Sequence, residues 1–251
     1  MGSLHAGHVS LICRAKREQD VVVVSIFVNP AQFGPNEDFR KYPRSLTQDQ
    51  TLLRRERVDI LFHPRRSTVY PKGFRDYVNP GPLSHHLCGP FRPGHFRGVA
   101  TVLKRLFDIV QPDVSYFGEK DYQQSRIVAW LAKRHRIPVR IKTGEIIRDT
   151  DGVALSSRNR YLSPEERISA RAIYRSLLKA KQLIRNGVRD PRQVKRAVRT
   201  VLLGNVSRID YITLADPKTL EPLKRVKPPV LVALACYVGS TRLIDNAVVR
   251  R

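Results

Sequence analysis

Over the first 148 positions, apolar residues fall into short β-branched runs separated by stretches with helical spacing. Val21 to Phe27 (VVVVSIF) is continuously apolar instead of alternating, which predicts a strand buried on both faces. Before it, His8 to Gln19 places Val9, Leu11, Ile12 and Ala15 at helical spacing. A loop rich in Pro, Gly and Asn follows from Asn29 to Pro43, and Ser45 with Gln48 three residues on predicts a capping box that opens a helix. Val58 to Phe62 then reads as a strand. Beyond a second loop-rich region, Pro64 to Gly98, the pattern predicts a helix over Val99 to Val110, a strand over Asp113 to Phe117, a helix over Tyr122 to His135 and a strand over Val139 to Lys142. Strands alternating with helices imply parallel βαβ units.

Past Arg148 the pattern changes. Ser163-Pro164-Glu165-Glu166 combines an N-cap, Pro at the first helical position and Glu at N3, predicting a helix to about Arg185. Asp190-Pro191-Arg192-Gln193 repeats the device for a helix to about Leu203, and Ile209 to Leu214, Val230 to Val238 and Arg242 to Asp245 read as strands. The fold class expected is α/β: a Rossmann-like parallel-sheet domain over 1–148, lacking its first strand, followed by a small α+β C-terminal domain over 149–251. A doubly wound domain ordinarily has a strand just before its phosphate-binding turn. This chain starts inside the turn, at Met1, so an upstream strand is expected to be lost or the start to be internal.

Composition narrows the classes. The 251 residues are 41% hydrophobic and 27% charged, which supports a packed core and excludes a disordered chain. Lys+Arg number 46 against 22 Asp+Glu, a net charge of +24, and such a field attracts nucleic acid, acidic surfaces and phosphorylated metabolites alike. Residues 1–148 hold 25 basic and 13 acidic side chains and residues 149–251 hold 21 and 9, so each part nets +12. The surplus is therefore spread, and no RNP-type aromatic motif or tandem basic run accompanies it. Cys13, Cys88 and Cys236 lie far apart with no CxxC pair, which argues against a disulfide framework or zinc ribbon and for a reducing cytoplasm. The longest apolar run, near Pro229 to Gly239, is about half the ~20 residues that span a bilayer. No secretory pattern opens the chain, and Ala6 stands where myristoylation requires Ser or Thr.

Three segments carry candidate chemistry. His5-Ala6-Gly7-His8 opens the first helix, where free N–H groups and the positive dipole end attract phosphate and Gly permits close backbone approach. Two imidazoles three residues apart can flank one phosphate and donate to it as charge develops; a capping cluster or a metal pair reads equally from these residues. Gly118-Glu119-Lys120-Asp121 follows a strand directly, at the carboxyl edge where open α/β sheets bind ligands. There Lys120 can meet phosphate and Asp121 a ribose or Lys120 itself, the alternative being an exposed charged turn. Gln123 and Gln124 start the next helix and either reach a small polar substrate or simply face solvent. Leu155-Ser156-Ser157-Arg158-Asn159 is a polar loop between the two parts, suited to a triphosphate through two hydroxyls and a guanidinium, or a plain linker.

Together with further segments, these resemble the pantothenate synthetase family, nucleotidyltransferases whose HIGH-type signature is shared with class I aminoacyl-tRNA synthetases. The resemblance rests on Met1-Gly-Ser-Leu-His-Ala-Gly-His8, Ile26-Phe-Val-Asn-Pro-Ala-Gln-Phe33, Tyr42-Pro43-Arg44, Arg92-Pro-Gly-His-Phe-Arg-Gly98, Phe117-Gly-Glu-Lys-Asp-Tyr-Gln-Gln124, Leu155-Ser-Ser-Arg-Asn159 and Arg242-Leu-Ile-Asp-Asn246. Seven motifs in order cover essentially the whole chain. The resemblance implies a C–N-forming ligase: ATP and (R)-pantoate give pantoyl adenylate and pyrophosphate, and the amine of β-alanine then attacks the acyl carbon to give pantothenate and AMP.

It further implies His8 as proton donor and a cradle for ATP from Met1, Gly2, Ser3, Leu4, His5, Ala6, Gly7 and His8. Gly118, Glu119, Lys120, Asp121, the backbone near Ile147, and Leu155, Ser156, Ser157 and Arg158 would complete that nucleotide site. Gln32 and Gln124 would hold pantoate, with Gln32 also near β-alanine and with Asn29, Tyr42, Arg92 and His95 as further neighbours. Magnesium would arrive with ATP, with no protein ligand assigned, and a cytoplasmic homodimer is implied. Family members carry an additional strand ending in Pro-Thr before the Met-Gly turn, which makes a truncated, weakly active or inactive homologue one alternative. A basic nucleic-acid-binding derivative of the scaffold is another, and a cytidylyl- or adenylyltransferase using HxGH a third. Nucleic acid is otherwise expected to adhere only nonspecifically.

Overall fold

A computed structural model describes residues 2–35 and 37–250. The chain divides into two compact units. The first comprises Met1–Ser84, Arg92–Glu119 and Gln124–Ile147, and the second His85–Phe91, Lys120–Gln123 and Arg148–Arg251.

In the first unit the order is α1 (Ala6–Glu18), β1 (Val23–Ser25), α2 (Leu46–Arg55), β2 (Ile60–Phe62), α3 (Arg66–Val69), α4 (His95–Val110), β3 (Val114–Gly118), α5 (Tyr122–Arg134, whose first two residues belong to the second unit) and β4 (Arg140–Gly144). β1 pairs with β2 and β3 with β4, both in parallel, as two separate two-stranded sheets. This corrects the expectation of a strand over 21–27 buried on both faces. Only three residues enter the ladder, and Val21, Val23 and Ile60 are 60%, 36% and 49% exposed. A strand paired on one side only leaves part of its apolar run uncovered, whatever its composition. Val22 and Ile26 do turn inward, and Ile26 joins Ile12 of α1 and Leu53 of α2 in a small core completed by Leu4, Val24, Val58 and Leu61.

Two helix starts differ from expectation. Ser45 precedes α2 but its hydroxyl makes no capping bond, and α4 begins a turn early, at His95, because Gly94 adopts a left-handed backbone (φ 80°) that few other residues would accept. A buried stripe through Val99, Val102 and Phe107 then holds α4 in place.

The second unit is built on local signals that all agree. α6 (Pro164–Arg185) opens with the full capping box: the Ser163 hydroxyl accepts from the Glu166 N–H at 3.2 Å while the Glu166 carboxylate accepts from the Ser163 N–H at 2.9 Å. α7 (Pro191–Leu202) is capped by Asp190, which accepts from the Arg192 N–H. β5 (Arg208–Ala215), β6 (Val230–Val238) and β7 (Thr241–Val249) form an antiparallel sheet in the order β5-β6-β7. The central β6 is apolar almost throughout, and with the inner faces of α6 and α7 it forms a core that includes Leu177, Ile184, Val194, Val198, Leu202, Leu214 and Leu234. β7 runs four residues past the stretch expected for it, to Val249, carried by ladder bonds to β6.

Candidate active site

The first unit supplies a glycine turn leading into α1. Gly2 (φ 84°) and Ser3 (φ 53°) both have left-handed backbones, which glycine adopts freely and serine only at a cost that an external anchor can offset. Asp49 of α2, buried, provides it: its two carboxylate oxygens accept from Ser3 N–H at 2.8 Å and Leu4 N–H at 2.7 Å. Met1 lies outside the described residues. Ile147 approaches Gly7 at the start of α1, 3.9 Å from where a Cβ on that glycine would stand.

His5 and His8 turn out to be a capping cluster as well as a candidate phosphate site. His5 is the N-cap of α1, and its Nδ1 accepts from Gly7 N–H at 3.2 Å, while His8 Nδ1 accepts from His5 N–H at 3.2 Å. The rings lie tilted against each other with centroids 4.1 Å apart. Because each Nδ1 is an acceptor, each neutral ring carries its proton on Nε2. Both imidazoles are thereby set as Nε2–H donors beside the positive end of a helix.

Gln32 sits in the same unit on a single 3₁₀ turn, Pro30–Gln32, capped by Asn29. Asn29 is buried; its Oδ1 accepts from Tyr70 Oη at 2.8 Å and from Ala31 N–H at 3.2 Å, and its amide donates to Gly98 O at 3.0 Å and Gln32 Oε1 at 3.3 Å. Burial pushes the Tyr70 phenol up to about 12, so it stays a protonated donor. α4 packs directly on this turn at Gly98, where a Cβ would collide with the Ala31 carbonyl and stand 2.7 Å from Gln32 N. His95 Nδ1 contacts Gln32 O at 2.7 Å, and Arg92 bonds Glu37 and His95. Tyr42 is buried, edge-on to Phe33.

At the end of β3, Gly118 pairs with Gly144 of β4, and Glu119 accepts from the Thr143 hydroxyl at 3.0 Å, which gives that carboxylate a strand-tethering role. Gln124 is half-buried in α5.

The second unit holds the other candidate segments. Asn246 of β7 donates from its amide to Lys120 O at 3.0 Å, fixing the turn whose Lys120 ammonium lies 3.8 Å from the Asp121 carboxylate. Ser156 caps the 3₁₀ turn Ser157–Tyr161, accepting from Arg158 N–H at 3.3 Å, and Asn159 donates to Ala154 O at 3.0 Å. Lys120, Ser156, Asn159 and Asp245 line one small cleft, so this unit brings two of the expected nucleotide segments together. Behind them Asp245 receives both guanidinium nitrogens of Arg148 at 2.7 and 3.0 Å, and Arg148 stacks over the Tyr174 ring at 4.1 Å. Gln123 is buried and bonded to the backbone, its Oε1 accepting from Cys88 N–H at 2.9 Å and its amide donating to His86 O at 2.6 Å. That segment is tied further by Cys88 Sγ against Tyr211 Oη at 3.3 Å, with Arg242 paired to Asp210 alongside.

Asp49, Glu37 and Gly98 in the first unit, and Arg148 and Asp245 in the second, fasten candidate segments of their own unit without having been picked out from the sequence as site residues. For Gly98, Asp245 and Asn246 a signal was available in the RPGHFRG and RLIDN motifs; for Asp49 there was none, since an acidic residue inside a helix reads as solvated.

Comparison with known proteins follows the same lines. The family model for pantoate-beta-alanine ligase matches residues 1–248. The pantothenate synthetase of Sulfurihydrogenibium sp. (strain YO3AOP1) is 48% identical over 248 residues, which is 98% of this chain and 89% of that protein. The pantothenate synthetase of Moorella thermoacetica is 49% identical over 249 residues, 99% of this chain and 88% of that protein. Among solved structures, pantothenate synthetase from Thermus thermophilus matches with a TM-score of 0.96 at 44% identity, covering 100% of this chain and 91% of that one. Pantoate-beta-alanine ligase from Francisella tularensis, complexed with beta-gamma ATP and beta-alanine, matches at 0.82 and 36% identity, covering 99% and 87%.

Proposed function

The chain belongs to the pantoate-beta-alanine ligase family, and from that premise we propose which residues carry each part of the reaction. The enzyme condenses pantoate with β-alanine at the expense of ATP, through pantoyl adenylate, releasing pyrophosphate and AMP. Adenylation converts a poor leaving oxygen into AMP, so the protein's work is positioning and charge stabilisation.

His8 acts as the proton donor, its Nε2–H directed at the phosphate as charge develops during loss of pyrophosphate, with His5 as a second donor. The observation that supports this reading is that both Nδ1 atoms accept backbone N–H groups at the start of α1, His8 from His5 and His5 from Gly7. The turn Gly2–Leu4, held by Asp49, offers backbone to ATP, and Ala6, Gly7, Gly118, Glu119 and Ile147 contribute contacts from the same unit. Lys120, Asp121, Leu155, Ser156, Ser157 and Arg158 supply the second unit's share, Lys120 and Arg158 neutralising phosphate charge. Residues 1–148 act mainly in nucleotide and pantoate binding, and 149–251 serve as a lid domain. Gln32 and Gln124 hold pantoate, and Gln32 also meets β-alanine.

No cluster of three or more His, Cys, Asp or Glu able to hold a metal occurs among the described residues. Magnesium is proposed to enter bound to the phosphates of ATP, whose charge it screens. No helix among the described residues is long and apolar enough to cross a membrane; a cytoplasmic homodimer that contacts nucleic acid only nonspecifically completes the proposal. The test is pantoate-dependent ATP–pyrophosphate exchange. His8→Ala is expected to lose roughly 10²–10⁴-fold in rate with an unchanged melting temperature, and wild-type exchange in that variant would remove His8 from its role.

A further inference from the structure

We propose that Glu37 is a positioning residue for the substrate-binding Gln32, acting through Arg92 and His95 without touching substrate. The inference rests on the reading of Gln32 given above.

The direction of every bond in the chain Glu37–Arg92–His95–Gln32 follows from donor chemistry. Glu37 takes Arg92 in a two-point grip, Oε1 to Nε at 2.7 Å and Oε2 to one terminal nitrogen at 2.5 Å. The other terminal nitrogen of Arg92 lies 3.0 Å from His95 Nε2. A guanidinium only donates, so Nε2 must be the acceptor nitrogen of that ring. The proton then sits on Nδ1, which donates to the backbone carbonyl of Gln32 at 2.7 Å. His95 thus carries the opposite tautomer to His5 and His8.

The carbonyl at the end of this chain needs such support. Gln32 lies on a three-residue 3₁₀ turn, too short to define its own geometry. Its amide side is constrained by Asn29 and by the close approach of Gly98, and its carbonyl side by His95, with Arg92 also 3.5 Å away. The Glu37–Arg92 pair is largely shielded, with 24% and 13% of the side chains exposed. Burial alone would push the Glu37 carboxyl up, but Arg92 outweighs it and holds the group below its ordinary value, so the grip is a charged one near neutral pH. Without that charge, Arg92 loses its two-point anchor and His95 loses the donor that selects its tautomer. The alternative tautomer would set a lone pair against the Gln32 carbonyl.

The experiment compares E37Q, E37D, Q32A and Q32A/E37Q by steady-state kinetics in all three substrates. E37Q is expected to raise the KM for pantoate about tenfold while the KM for ATP stays within about twofold, because only the Gln32 turn is displaced. E37D keeps the charge and is expected to recover most of that loss. In the double variant the two losses should not multiply, since both act through Gln32. An unchanged pantoate KM in E37Q beside a raised one in Q32A overturns the role of Glu37 and leaves the reading of Gln32 intact. An unchanged pantoate KM in Q32A removes both. Multiplying losses, or a parallel rise in the KM for ATP, would show general damage and also overturn the proposal. If E37Q does not fold, E37D against wild type decides: a rise of about threefold confined to pantoate is required.

Discussion

The two units differ in what lies beneath their candidate site segments. In the second, segments 120–121 and 148–159 rest on a sheet whose central strand is almost wholly apolar and on two helices with complete terminal signals. In the first, the sheets are two-stranded fragments with exposed valines, and the buried apolar cluster around Ile12, Ile26 and Leu53 is small. There the polar groups do the ordering: Asp49 on the glycine turn, Asn29 and Tyr70 on the Gln32 turn, Glu37 behind Arg92. Directional bonds set the candidate segments in both units, but only in the second do they stand on a large apolar core.

Substitutions can break or sharpen this contrast. The largest effect is expected from Gly98→Ala. The added methyl must displace the Ala31–Gln32 backbone, and a shift near 1 Å in the turn proposed to hold pantoate costs on the order of 100-fold in rate. Pantoate-dependent exchange measures it, and a loss below tenfold would show the turn to be adaptable. Asp245→Ala should instead strike stability, by about 3–5 kcal/mol, because it leaves Arg148 mostly buried without its carboxylate. Denaturant unfolding checks it, and a neutral result would mean that the second unit does not depend on polar pairs at all.

Asp49→Ala removes the acceptor of two backbone N–H groups and should raise the KM for ATP about tenfold with a smaller change in melting temperature. Were melting to suffer more than ATP binding, Asp49 would belong to packing. The smallest effect concerns Glu18. Bonds from Lys142, Arg14 and Tyr116 lower its carboxyl to about 2. A depressed value stabilises the fold above the unfolded-state value of about 4.3 and is lost as pH falls towards 2. The melting difference between wild type and Glu18→Gln should therefore be slight at pH 7, where the network faces solvent, shrink as pH falls below about 4, and vanish only below about 2.

How much was legible in the sequence divides along the same line. α6 and α7 could be read with their caps because Ser163, Pro164, Glu166, Asp190 and Pro191 act within one turn of themselves. VVVVSIF could not, since whether a valine is covered depends on a neighbouring strand and not on the run itself. The candidate segments were recognisable as motifs, but their fastenings were not. Asp49 reaches back 46 residues to Ser3, and Asn246 reaches 126 to Lys120. Residue type and spacing do not separate Gln123 from Gln124, and the resemblance alone singles out Gln124; the fold shows Gln123 bonded to the backbone at residues 86 and 88.

One consequence of β7 concerns coupling between distant segments. Asp245 and Asn246 are successive residues, so their side chains leave opposite faces of the strand, one gripping Arg148 and the other the Lys120 carbonyl. Two segments of the second unit, at Lys120 and at Arg148, are thereby fastened to a single strand, so a substitution that distorts β7 at these positions releases both at once.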